Sequence, residues 1–201
     1  MQDLLSVENL KQWLRHAHTF DPEYGEGITL EVLTPSAVLV PLIMRDSGIT
    51  VLLTQRTAHL HNHAGQISFP GGRIDPDDVD HVAAALREAE EEVGLVAAQI
   101  EVIATLPDYC TGTGFRINPV VGLVTPPLNL RLDDFEVADV FEVPLGFLVE
   151  EANWRRESME LDGKLRQYWA MPWRDRYIWG ATAGMLVNFK RCLDQGRRCR
   201  P

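Results

Sequence analysis

Cysteine is scarce in this chain. Cys110, Cys192 and Cys199 are the only three, an odd number with no paired metal-type spacing, which argues against a disulfide framework and against a thiolate zinc site. No signal-type segment opens the sequence, so a reduced, cytoplasmic protein is expected. Long apolar runs are missing too: Ala37–Met44 suits a buried strand, far short of the ~20 residues that span a bilayer. Basic residues are outnumbered, 19 against 29 acidic, for a formal net charge of −10. The averaged field therefore repels a nucleic-acid backbone. Arg197, Arg198 and Arg200 form only a short basic tail. Repeats and low-complexity segments are absent. What remains is 201 residues, 45% of them hydrophobic, enough to bury the core of one domain.

The most informative stretch runs from Phe69 to Leu95, a glycine turn followed by an amphipathic helix. Asp77 or Asp78 is the expected N-cap, and Gly94 stands where the chain turns left-handed to stop. Val82, Ala85, Leu86, Ala89 and Val93 recur at helical spacing and predict a core-facing stripe. Glu88, Glu91 and Glu92 stand at i, i+3 and i+4, so they share one surface patch. Like charges at that spacing cost roughly 0.2–0.5 kcal/mol per pair. Arg87, four residues before Glu91, can offset one of them. A hard divalent cation bound through oxygen can offset the rest; the plain alternative is a solvated acidic face.

Arg87-Glu88-Ala89-Glu90-Glu91-Glu92-Val93-Gly94-Leu95 resembles the ending of the Nudix box, with Gly71-Gly72 where that box opens. The spacing is one residue longer than standard, and Asp77, Asp78 or Val79 replaces the usual early glutamate. Upstream, Leu52-Leu53-Thr54-Gln55-Arg56-Thr57 and Gly65–Gly72 resemble a second signature, that of the coenzyme A pyrophosphatase branch, which tends to carry the longer box. Thr57 and His61 depart from it, at positions where serine or alanine, and arginine, are usual. Further on, Thr111-Gly112-Thr113-Gly114-Phe115 before Pro119-Val-Val-Gly122 is similar to that branch again, as is Ile178-Trp-Gly-Ala-Thr-Ala183.

In chain order, Ser6 opens an amphipathic helix carrying Val7, Leu10, Trp13 and Leu14, expected as a cover or a partner surface. Ala37–Met44 and Ile49–Thr54 predict a hairpin around Asp46-Ser-Gly48. His59, His61 and His63 alternate in the next loop; a polar loop, a transition-metal site and a phosphate contact by His61 are the readings open there. Strands are expected at Gln66–Phe69, Ile100–Leu106, Arg116–Val124 and Val140–Val143, with a short helix at Pro144–Glu151. A last hairpin pairs Met159–Leu161 with Arg166–Trp173, and Tyr177–Phe189 reads as an apolar helix lined with small residues.

The resemblance implies an α/β fold, a Nudix-type α/β/α sandwich with a mixed sheet, and alternating strands and amphipathic helices point to the same layout. The expected organisation is residues 1–34 as N-terminal helix and linker, 35–195 as the hydrolase domain and 196–201 as the tail. The implied activity is Mg²⁺- or Mn²⁺-dependent hydrolysis of a pyrophosphate bond, coenzyme A being cut to 3′,5′-ADP and 4′-phosphopantetheine. Glu88 and Glu92 are the expected metal ligands. Glu91 is a third ligand or a water-orienting base, held by Arg87, and Glu136 is a further ligand, a general base or an exposed charge. Candidate substrate contacts are Gly71, Gly72, His61, Thr111, Phe115 and Arg56, the last also readable as a structural ion pair. The alternatives are hydrolysis of ADP-ribose, dinucleotides or nucleoside triphosphates, and a ligand-binding module without turnover. The expected partner is a small nucleotide substrate, with a homodimer possible and neither nucleic acid nor membrane involved.

Overall fold

The computed structural model describes residues 5–15, 33–59, 65–161 and 163–199. Its centre is β1 (Thr34–Arg45), in which every residue from Ser36 to Ile43 is buried. A strand buries a continuous run only when both faces of its sheet are covered. Ala37, Leu39 and Ile43 enter one core cluster while Val38, Val40 and Leu42 enter the other. The chain returns antiparallel as β2 (Gly48–Arg56), forming the expected hairpin. On the opposite edge, β7 (Phe115–Val124) runs parallel to β1, which makes the sheet mixed.

Around these three, β3 (Ile67–Ser68) and β8 (Val137–Pro144) pair with β2, β4 (Gly71–Arg73) pairs with β1, and β5 (Ile100–Thr105) and β6 (Tyr109–Cys110) pair with β7. Pro41 falls where the edge of β1 changes partner, after Ser36–Val38 meet β4 and before Leu42–Arg45 meet β2. Its missing amide therefore coincides with a break between two ladders, where proline is tolerated.

One face of the sheet is covered by α2 (His81–Val93). Its N-cap is Asp80, which accepts from the Ala83 amide, and not Asp77 or Asp78. Asp78 is engaged elsewhere: its carboxylate takes the Asp75 amide at 2.8 Å and the Arg87 guanidinium. Gly94 ends the helix at φ 75°, its N–H reaching the carbonyls of Ala89 and Glu90. Ala84, Ala85, Ala89 and Val93 are fully buried, with Val82 and Leu86 half-buried beside them.

The other face is covered by α1 (Val7–Leu14), α3 (Leu145–Leu148), α4 (Gly180–Arg198) and a separate antiparallel sheet of β9 (Arg155–Leu161), β10 (Lys164–Trp173) and β11 (Arg176–Trp179). The first helix, capped by Ser6, buries Leu10, Trp13 and Leu14 and packs on α4, so it is a cover within the chain. Two expectations are corrected here. Tyr177–Trp179 belong to a strand rather than to the last helix, because they pair with Pro172, Met171 and Ala170 of β10. Residues 196–198 of the expected tail are the final turn of α4.

Arg45 ties β1 to β8 through Glu142, its Nε 3.1 Å from Oε2, and Thr50 donates to the same carboxylate. These bonds hold the Glu142 carboxyl below its usual range, the Arg45 hydrogen bond first among the causes. A carboxyl with a lowered folded-state pKa contributes stability that is present above its unfolded value of about 4.3 and is lost as pH falls through the folded one. Glu142→Gln should therefore cost about 1 kcal/mol at pH 7, a small figure because water screens a pair this near the surface. That corresponds to roughly 2–4 °C in Tm, and the two melting curves should converge by about pH 3. A gap that persisted undiminished in acid would assign the loss to shape rather than charge.

Candidate active site

One cavity of about 780 Å³ opens between the N-terminal part of the main sheet, α2 and the C-terminal sheet. That size suits a small-molecule ligand. Its acidic wall is made by Glu88 and Glu92 of α2 and by Glu136, from the loop before β8. The structure brings these three to the cavity, together with Arg56, Gly71, Gly72, Thr111 and Phe115. Glu91 does not line it. Its side chain is largely exposed and accepts from Arg87 at 2.9 Å. His61 lies outside the described residues, as does His63; His59 packs against Phe135 in a tilted contact, ring centroids 5.0 Å apart.

Arg87 is the organiser of the helix face. Its guanidinium bonds Asp78 through two nitrogens (3.1 and 3.0 Å), Glu88 (3.0 Å), Glu91 (2.9 Å) and the Arg73 carbonyl (3.2 Å). Such a planar fork, always charged, fixes several carboxylates at once. The Asp78 hydrogen bond raises the Arg87 pKa further, and the same bond holds the Asp78 carboxyl below its ordinary value. The turn before the helix thus supplies an aspartate two residues ahead of the cap that holds Arg87.

Glu92 is the most buried of the three cavity acids, its side chain 7% exposed. Burial pushes its carboxyl up to about 8, against the opposing pull of the Gly71 amide, 3.2 Å from Oε2, and of Arg56, 3.6 Å from Oε1. Glu88 is also raised, by burial first, with Arg87 working the other way. Arg56 lies 3.4 Å from Glu136 as well. It is the guanidinium that bridges the helix acid to the loop acid, which is the structural ion pair, one of the two readings its sequence position allows.

Thr57 fixes the height of Glu136. Its N–H donates to the Glu136 carbonyl at 2.9 Å and its hydroxyl to the Phe135 carbonyl at 2.8 Å. Both donors are spent on the loop, so threonine supplies what this position needs. In the 111–115 loop the Thr111 hydroxyl accepts the Phe115 amide at 3.0 Å and meets Thr113 at 3.0 Å. Thr111 thus shapes that loop while lining the cavity.

Among the described residues no three His, Cys, Asp or Glu side chains converge into a finished metal cage. The donor set that is present is nonetheless of the right kind. It consists of carboxylate oxygens, two of them on carboxyls whose pKa burial raises, and Mg²⁺ characteristically takes one or two carboxylates and completes its shell with water and substrate phosphate.

The far wall is absent from the sequence-based expectations. Arg156 of β9 and Arg166, Tyr168 and Trp169 of β10, with Trp179 of β11, line the same cavity. The alternation of cationic and aromatic residues in this hairpin is visible in the sequence. Nothing local says that it turns toward a helix some 70 residues earlier.

A family model described as NUDIX domain matches residues 33–160. An Escherichia coli K12 protein named as an uncharacterized Nudix hydrolase, NudL, is 40% identical over 151 residues, which covers 75% of this chain and 78% of that one. Among solved structures, the fold is similar to a Nudix hydrolase from M. smegmatis, RenU (TM-score 0.50, 24% identity, 61% of this chain and 78% of that chain), and to a MutT protein from Methanosarcina mazei Go1 (TM-score 0.50, 19% identity, 85% and 97%).

Proposed function

The chain belongs to the Nudix family and is a pyrophosphohydrolase, and from that premise we propose that it cleaves the pyrophosphate bond of coenzyme A or an acylated derivative. The products would be 3′,5′-ADP and 4′-phosphopantetheine or its acyl form. One observation carries the reading: residues from both stretches that resemble the coenzyme A branch line the same cavity as the box acids. Arg56, Phe69, Gly71 and Gly72 come from the first stretch, Thr111 and Phe115 from the second.

Nudix hydrolases generally use divalent metals such as Mg²⁺ or Mn²⁺. Glu88 and Glu92 would hold the cation here, and when bound it neutralises phosphate charge and lowers the pKa of water. The chain's own groups do the rest. Arg87 holds Glu88 in place and keeps Glu91 beside it. The Gly71 amide orients the Glu92 carboxylate. Glu136, carried on the loop that Thr57 fixes, is a carboxylate free of the helix and able to take a proton from water attacking a phosphorus. Arg56 joins Glu92 and Glu136 and is the cation best placed for a phosphate oxygen once substrate enters.

The test is a substrate panel of coenzyme A, acetyl-coenzyme A, ADP-ribose, NADH and diadenosine tetraphosphate, with Mg²⁺ or Mn²⁺ and products identified by mass. Coenzyme A or its acyl form should show the highest kcat/KM and release 3′,5′-ADP. Preferential cleavage of ADP-ribose or a dinucleotide would overturn the substrate assignment while leaving the pyrophosphohydrolase chemistry intact.

A further inference from the structure

Arg176 opens β11 on the C-terminal sheet, paired with Trp173 of β10, yet its guanidinium reaches across to the main sheet. One nitrogen donates to the Gln55 side-chain carbonyl and another to the Asp139 carboxylate, and the group lies over the Phe141 ring, 4.8 Å from the centroid. Gln55 and Asp139 face each other in the β2–β8 ladder. They are the last regular pair there. The next pair joins Arg56 to Val137, so Ala138 is an extra residue on β8, a bulge. An insertion of one residue changes which face the residues before it in the chain present. Phe141 and Val143 pack into the core that also holds Met171 and Ile178 of the C-terminal sheet, and a period of two would send Val137 there as well. Val137 instead packs in the cluster of α2. The bulge thus decides how the chain enters β8, and the residue just ahead of Val137 is Glu136.

Resting on the proton-accepting role given to Glu136 above, we infer that Arg176 is a positioning residue, which holds the β2–β8 bulge in register so that Glu136 stands at the height where it acts. The loop is fixed from two sides. On one side Thr57 binds the Glu136 and Phe135 carbonyls. On the other the bulge is the weak point, because a ladder can take back an extra residue by slipping one place. That slip would carry Glu136 away from Arg56, now 3.4 Å from it. Arg176 opposes it, since a rigid planar fork binds both members of the pair next to the bulge and is anchored in a separate sheet. Both partners are held in turn. The Gln55 amide nitrogen lies 3.4 Å from the Gly65 carbonyl, and the other Asp139 oxygen takes the Val140 amide at 2.9 Å. The side chains of Arg176 and Asp139 are 24% and 46% exposed, so their ion pair by itself adds little to stability. What the guanidinium contributes is geometry.

The experiment is a double-mutant cycle on kcat, run at saturating Mg²⁺ with whichever pyrophosphate of the panel above is cleaved fastest, so that it does not depend on the nucleotide being coenzyme A. Arg176→Met keeps an apolar stem over Phe141 and removes the fork. It should lower kcat by about 10-fold with KM within about 2-fold, as expected when a catalytic group is displaced by less than an ångström. Tm should stay within a few degrees of wild type. In the Glu136→Gln background the same substitution should cost less than about 2-fold, because the group it positions is already gone. Equal losses in the two backgrounds would overturn the inference by making the role of Arg176 one of overall stability. Wild-type kcat in Arg176→Met, or a raised KM with kcat unchanged, would overturn it too. If Arg176→Met does not fold, Asp139→Asn, which keeps an oxygen for the Val140 amide and weakens the clamp, goes through the same cycle with the same expected pattern and the same overturning results. Glu136→Gln at wild-type kcat would instead remove the role of Glu136, and this inference with it, while leaving the pyrophosphohydrolase chemistry intact.

Discussion

Glu92→Gln should lower metal-dependent turnover by about 10³-fold, the scale on which a single preorganised electrostatic group acts, or roughly 4 kcal/mol of barrier. The fold should survive. Glutamine keeps the length of the side chain and an oxygen that can accept from the Gly71 amide, now 3.2 Å from the carboxylate. What it loses is charge in a place where charge is costly, since burial already pushes the native carboxyl up to about 8. A neutral amide at so buried a position relieves that cost. Thermal unfolding without divalent ion should therefore fall within a few degrees of wild type or above it. Isothermal titration should show weakened Mn²⁺ binding. Activity within about 10-fold of wild type would remove Glu92 from the ligand set. A collapsed melting temperature would make its role structural.

The second large effect separates two adjacent glycines. Gly71 has φ 154°, a conformation that side chains rarely adopt, and a Cβ there would sit 2.6 Å from the Val38 Cα of the central strand. Backbone cannot step aside, so Gly71→Ala should destabilise the protein by about 3 kcal/mol or more and lower the yield of folded enzyme. At Gly72 a methyl group would instead meet the Glu88 carboxylate, whose atoms lie 2.5, 2.6 and 2.7 Å from the place its carbon would take. A side-chain tip can move. Gly72→Ala should displace Glu88 and cut kcat by about 10²-fold, as expected when a catalytic group is shifted by about an ångström, with Tm nearly unchanged. Differential scanning calorimetry with steady-state kinetics reads the contrast. A Gly72→Ala enzyme with wild-type kcat would show that the Glu88 position does not matter, and one that fails to fold would remove the distinction between the pair.

Much of the fold is legible from local chemistry. The β1–β2 hairpin, the box helix with its glycine stop, and the strands at 100–105 and 115–124 each follow from alternation, helical spacing or a turn residue. The misses have a common cause. Tyr177-Ile-Trp179 has no local reason to stop short of a helix; its pairing with β10 decides, and that partner is set by tertiary structure. Asp78 looks like a cap because aspartates begin helices, yet an arginine nine residues later holds it instead. The site divides in the same way. Glu88, Glu92 and Arg87 are readable because one helix presents them together, whereas the arginines and tryptophans of the far wall reach the cavity only through long-range packing.

The parallel pairing of β1 with β7 has a consequence for how the molecule assembles. The register pairs from Thr34–Phe115 to Ile43–Val124 join segments some 80 residues apart, and α2 lies on the connection between them. Closing so long a loop is slow compared with zipping a hairpin. On a ribosome, β1 and β2 emerge early but the central ladder cannot complete until β7 has left the exit tunnel. Nascent chains halted before residue 115 would leave the β1 edge that β7 covers open, a natural binding site for a chaperone.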